Sequence, residues 1–124
     1  MKLGLVQGVV SAEAFMLHGE KIYAANRKRP PRSDHVRRRR FVANFGTTPE
    51  ICSNVWARIC FERKADMPSR SSPKHLLWAL YLMKVYATED VLAGDCGVDE
   101  KTFRKWSWMF IEEIAKMAKS EVSF

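Results

Sequence analysis

Glycine and cysteine are scarce in this 124-residue chain, and long apolar runs are missing. Its six glycines assemble no Gly-rich loop of the kind that cradles nucleotide phosphates. The three cysteines, Cys52, Cys60 and Cys96, are an odd number without a Cys-x-x-Cys pair. His18, His35 and His75 fall at no zinc-like spacing from them. A disulfide framework or a structural metal site is therefore not expected, and the thiols read as small apolar groups in a reducing compartment. No nucleophile–base pair or ligand cluster stands out, so the chain is expected to be no enzyme, with no cofactor and no small-molecule substrate. Nothing approaches the roughly 18 continuous apolar residues of a membrane-spanning helix, which leaves no reason to expect a membrane partner. Leu3 to Val10 after Met1-Lys2 imitates a short secretory signal, but Gln7 and Glu13 interrupt the pattern.

What the chain has is positive charge and aromatic bulk. Twenty-one Lys and Arg against fourteen Asp and Glu give a formal charge of +7, and seven Phe, four Trp and three Tyr are enough for one packed core. The charge is concentrated. Residues 27–40 hold eight Lys/Arg and one acid, while the rest of the chain is balanced at thirteen of each sign. Repulsion at this density, together with Pro30-Pro31, predicts a solvated basic arm after a poorly specified leader. Residues 1–40 are thus expected to be leader and arm, and residues 41–124 a helical domain. The two clusters, Arg27-Lys28-Arg29 and Arg37-Arg38-Arg39-Arg40, suit phosphate or minor-groove contact. They equally suit a nuclear import signal, or a basic tail with neither role.

From Phe41 onward the pattern is helical. Phe41 and Phe45 share one face of a short helix stopped at Gly46. Thr48-Pro49-Glu50 is a start signal (hydroxyl cap, proline at the first position, acid in the first turn) for a helix running to about residue 63. Ser72-Pro73 repeats it for a helix through His75–Tyr86 that is apolar nearly all round and so central. Thr88-Glu89-Asp90 opens a short helix ending near Cys96-Gly97, and Asp99-Glu100 opens a last one to about residue 119. The fold expected is all-α: a small helical bundle containing a trihelical helix-turn-helix.

The helix-turn-helix register can be tested residue by residue. Counted from Glu89, such a unit wants an apolar fourth residue, a small fifth, a glycine ninth for the turn, and apolar eighth, tenth, fifteenth and eighteenth. Leu92, Ala93, Gly97, Cys96, Val98, Phe103 and Trp106 meet every demand. The second helix then presents Glu100, Lys101, Arg104, Lys105 and Trp108 outward. Lys101, Arg104 and Lys105 are the candidate major-groove contacts, to guanine edges or phosphates. The competing reading is an exposed helix face that happens to carry three cations, with Trp108 half-buried against another helix, and for Trp108 this core reading is the favoured one. Residues 73–120 carry seven cations and seven acids. A neutral unit has little phosphate attraction of its own, which the arm, Arg37 to Arg40 included, could supply.

The run Arg37 to Trp56, with His75-Leu-Leu-Trp-Ala-Leu-Tyr-Leu-Met-Lys-Val-Tyr86 and Lys101-Thr-Phe-Arg-Lys-Trp-Ser-Trp-Met-Phe-Ile111, resembles the N-terminal region of eukaryotic DDE-superfamily, Harbinger-type transposases. The likeness covers about residues 37–118. It implies a helical DNA-binding segment that precedes, in that family, an RNase H-like nuclease holding two Mg²⁺ on three carboxylates. No acid here matches those three, and the chain stops at Phe124, where that domain would begin. The resemblance therefore implies a recognition fragment without strand-cleaving activity, nuclear, with double-stranded DNA as partner. The alternative is a helical protein-interaction module that binds a full-length transposase or a second copy of itself.

Overall fold

The computed structural model describes residues 10–24, 33–63, 70–85 and 87–121. Among them are six helices and no strand: α1 (Ala12–Tyr23), α2 (Asp34–Phe45), α3 (Pro49–Arg63), α4 (Pro73–Lys84), α5 (Glu89–Cys96) and α6 (Glu100–Glu121). The small all-α bundle expected from the sequence is the fold.

Each start uses a side-chain cap. Ser11, Ser33, Thr48, Thr88 and Asp99 accept from backbone N–H groups of the first turns of α1, α2, α3, α5 and α6. α4 inverts the arrangement: the Ser72 backbone N–H donates to Nδ1 of His75 at 3.1 Å. α2 and α5 both end at a glycine in the left-handed region, Gly46 (φ 78°) and Gly97 (φ 75°), where any side chain adds steric cost.

α4 contacts all five other helices, which explains why its residues His75 to Ala79 and Tyr81 are all buried. On one side Tyr81 meets Phe45 of α2 at 5.8 Å between ring centroids. On the other, His75 lies flat on Trp106 of α6 at 4.0 Å, and Trp78 meets Phe103 at 5.9 Å. Trp56 of α3 stacks on Phe110 of α6. Expected core residues Phe45, Trp56, Ile59, Leu77, Trp78, Tyr81, Leu92, Phe103, Trp106 and Phe110 are buried; Leu80, Val98 and Ile114 are half-buried against them.

The expected leader and arm need correction wherever the structure describes them. Residues 12–23 are not a poorly specified leader but a capped helix whose Phe15, Met16, Gly19 and Ile22 are buried. α1 packs on α2, α3, α4 and α5, so it shares the core of the helix-turn-helix. Gly19 explains the close approach: a Cβ there would sit 2.7–2.9 Å from the rings of Phe41 and Phe45. Likewise Arg37 to Arg40 are not part of a solvated arm but about one turn of α2. A domain boundary between residues 40 and 41 would cut through that helix. The physical reason is charge pairing, described below, added to the Ser33 cap and the burial of Phe41 and Phe45. The leader residues 1–9 and the arm residues 25–32 lie outside the described residues.

Phe15→Ala should lower stability by about 3–5 kcal/mol, as for other fully buried aromatics, read from urea unfolding; an unchanged midpoint would place α1 outside the core. Gly19→Ala should destabilise through overpacking. Gly94→Ala, where nothing lies within 4 Å of the added methyl, should stabilise by about 0.5–1 kcal/mol through helix propensity.

Burial, with a smaller contribution from Lys74, holds His75 down at about 4 against an ordinary value of 6.5. Below pH 6.5 the unfolded chain therefore takes up a proton that the folded chain refuses, so stability falls as pH drops toward 4. The full loss is about 3 kcal/mol. His18, also depressed, chiefly by burial, adds a slope of the same sign. Urea midpoints measured from pH 7 to pH 5, above the range of the carboxylates, should decline in the wild type and decline less in His75→Phe. Equal slopes would contradict the buried neutral imidazole.

Candidate nucleic-acid interface

The turn between α5 and α6 is built as the register requires. Leu92, Ala93, Phe103 and Trp106 are buried, and Gly97 takes the positive φ with its N–H directed at the carbonyls of Ala93 and Gly94. The Val98 N–H returns to the Ala93 carbonyl at 3.0 Å, closing the end of α5 as the Asp99 cap opens α6. The inward stripe of α6 (Phe103, Trp106, Ser107, Phe110) faces the core. Lys101, Arg104, Lys105 and Trp108 therefore share the outward face, all exposed.

These side chains are not electrostatically equivalent. Arg104 donates from Nε to Glu89 Oε1 and from Nη2 to Glu100 Oε2, each at 2.8 Å. These bonds raise its pKa further above its ordinary value. Glu89 is held below the usual carboxylate range, first by Arg104 and then by the Trp108 indole, which donates to its second oxygen at 3.2 Å. Lys105 extends over the Trp106 ring at 5.5 Å, a cation–π contact that leaves its charge uncompensated. Lys101 makes no ion pair among the described residues. The face thus offers two free ammonium groups and one arginine whose charge two carboxylates already match.

Trp108 is not a core residue: it is 50% exposed, with its indole against Glu89 of α5. Two positions earlier, Trp106 takes the inward place on His75, and helical geometry turns Trp108 to the Arg104 side. Glu89 is the member of this cluster that sequence reasoning treated only as a helix-start signal. Its distance from Arg104 in sequence gives no local clue, and only the crossing of α5 and α6 joins them.

The four arginines of α2 divide in the same way. Arg37 donates to Glu20 from Nε (2.9 Å) and Nη2 (3.1 Å), to Glu13 (3.0 Å) and to Asp34 (3.4 Å), tying α2 to α1. Arg38 forms a two-point pair with Glu50 of α3 at 2.6 and 2.7 Å. Arg39 is exposed and Arg40 half-buried, and neither makes an ion pair among the described residues. α2 packs on α1 and α4, whereas α6 packs on α4 and α5. The structure therefore gathers Lys101, Arg104 and Lys105 on one face, keeps Arg39 and Arg40 as a separate basic site, and assigns Arg37 and Arg38 to holding helices together.

Among the described residues no group of three His, Cys, Asp or Glu side chains could hold a metal ion, and no helix is long and apolar enough to cross a membrane. Burial pushes the Cys52 and Cys96 thiols up to about 12, far from reactive thiolates. Neither a family model, nor a curated protein, nor a solved structure matches this chain.

Arg37→Ala should cost about 1–2 kcal/mol, because a largely covered guanidinium leaves and its carboxylate partners lose their donor. Arg39→Ala should change stability by less than about 0.5 kcal/mol. Chemical unfolding of the two variants checks the division; equal losses would contradict it.

Proposed function

We propose that this protein binds double-stranded DNA through the α5–α6 helix-turn-helix, with the first half of α6 facing the major groove. The observation that carries the reading is the turn itself. A left-handed Gly97, with Ala93 buried at the crossing, leaves Lys101, Arg104, Lys105 and Trp108 as one exposed face beginning at a helix N-terminus, the layout by which such units present side chains to base edges. Arg39 and Arg40 add phosphate contacts from α2. The resemblance of residues 37–118 to the N-terminal region of Harbinger-type transposases supports a DNA-recognition role, in the nucleus.

Charge sets the expected strength. Among the described residues of the two basic sites, Lys101, Lys105, Arg39 and Arg40 make no ion pair, and roughly two to four phosphate contacts from them imply a log–log salt slope of about −2 to −4. A fluorescent random-sequence duplex titrated with the full chain at several salt concentrations should give a slope at least that steep. Lys101→Ala with Lys105→Ala should bring it about two units closer to zero. Absence of binding at low salt would sink the reading.

One observation favours a second reading, a helical protein-interaction module that takes a transposase or another copy of this chain. The outward face pairs a half-exposed Trp108 with an arginine already satisfied by Glu89 and Glu100, a composition that also suits an interface with protein. Failure of the duplex titration, with a concentration-dependent change in mass of the chain, would select it.

A further inference from the structure

The contacts of Arg104 carry more than a count of charges. Two of the five N–H groups of a guanidinium are occupied here, one by each carboxylate. The other three sit on the terminal nitrogens Nη1 and Nη2 and point to no partner among the described residues. Glu89 is itself fixed, since its second oxygen accepts from the Trp108 indole. The side chain is thus held from two helices, by Glu89 at the start of α5 and Glu100 at the start of α6, while it stays 51% exposed.

Two carboxylates at 2.8 Å have a definite consequence for what that terminus can bind. They cancel the charge that would draw it to a phosphate and would themselves repel one. They leave directional hydrogen bonding intact, and they remove in advance much of the rotamer freedom that a free arginine loses on binding. A neutral ligand with two adjacent acceptors is favoured over an anion. In the major groove the base edge of that description is guanine, through O6 and N7.

Resting on the DNA-binding reading above, we infer that Arg104 is a specificity-determining residue that reads one guanine in the major groove, with Glu89 and Glu100 as the positioning residues that present it. Lys101 and Lys105 then supply sequence-independent attraction, and Arg104 supplies discrimination.

The test is selection from a random-sequence duplex library by the full chain at low salt. Wild type should enrich guanine at one position. Replacing that guanine by 7-deazaguanine, which removes N7 and needs no protein variant, should weaken binding about 10-fold. Arg104→Ala should lose the guanine preference while holding random duplex within a few-fold of wild type. Glu89→Ala should lose most of the discrimination yet bind random duplex as well or better, since a negative charge leaves the face, and Glu89→Gln, which keeps one acceptor, should recover part of it. Helicity and melting of each variant guard against misfolding.

A guanine preference indifferent to 7-deazaguanine and to Arg104→Ala would overturn the inference and leave the DNA-binding reading standing. Glu89→Ala that gains affinity and keeps full discrimination would show the acids to be screens and not positioners, which also overturns it. A wild-type chain that retains no duplex from the library would end both the inference and the reading on which it rests.

Discussion

The bundle depends on α4 being covered on every side. A helix of twelve residues whose sequence runs Pro-Lys-His-Leu-Leu-Trp-Ala-Leu-Tyr-Leu-Met-Lys has no polar stripe wide enough to face water, so it is stable only when neighbours enclose it. The other described helices meet that demand: α1, α2 and α3 bring Phe15, Phe41, Phe45, Trp56 and Ile59, and α5 and α6 bring Leu92, Phe103, Trp106 and Phe110. The orientation of the helix-turn-helix follows. Trp106 lies flat against His75, and with that face fixed inward, Lys101, Arg104, Lys105 and Trp108 can only point out. His75 serves twice, as a ring in the stack and as the acceptor for the Ser72 N–H. A neutral imidazole at the junction of both halves is therefore part of the fold.

Arginine plays two opposed roles, and the acids around each residue decide which. Arg37 and Arg38 find Glu13, Glu20 and Glu50 on neighbouring helices and act as braces between α2 and the elements beside it. Those pairs also make a helix of four consecutive arginines tolerable, because two of the four positive charges are neutralised before they repel. Arg39 and Arg40 have no such partners among the described residues and remain free for an anion. Arg104 stands between the two cases: matched in charge, yet exposed and with bonding capacity left over. Net charge alone would have grouped all of these together.

Much of the molecule was legible from local signals. Hydroxyl–proline starts at Thr48 and Ser72, the glycine stop after Phe45 and the spacing from Leu92 to Trp106 depend on backbone geometry within a turn or two, so they can be read along the chain. The misreadings share a different cause. Arg37 to Arg40 read as a repelling arm because the acids that pair with Arg37 and Arg38 lie mostly on other helices, α1 and α3. Residues 12–23 read as a leader because Phe15, Met16 and Ile22 make a narrow stripe, and the helices that α1 packs on, α2 to α5, all follow later in sequence. Trp108 read as core because a large aromatic usually is, and its solvent-facing indole is explained only by Glu89 across the α5–α6 crossing. Each correction is a tertiary contact overriding a sound local inference.

The exposed face of α6, organised by Gly97 and the His75–Trp106 stack, is the proposed contact with DNA. Backbone amide chemical shifts of the isotopically labelled chain, followed as a random-sequence duplex is added at low salt, test it most directly. The largest shifts are expected from Lys101 to Trp108, with smaller ones at Arg39 and Arg40. Shifts confined to α2, or none along α6 at saturating duplex, would contradict it.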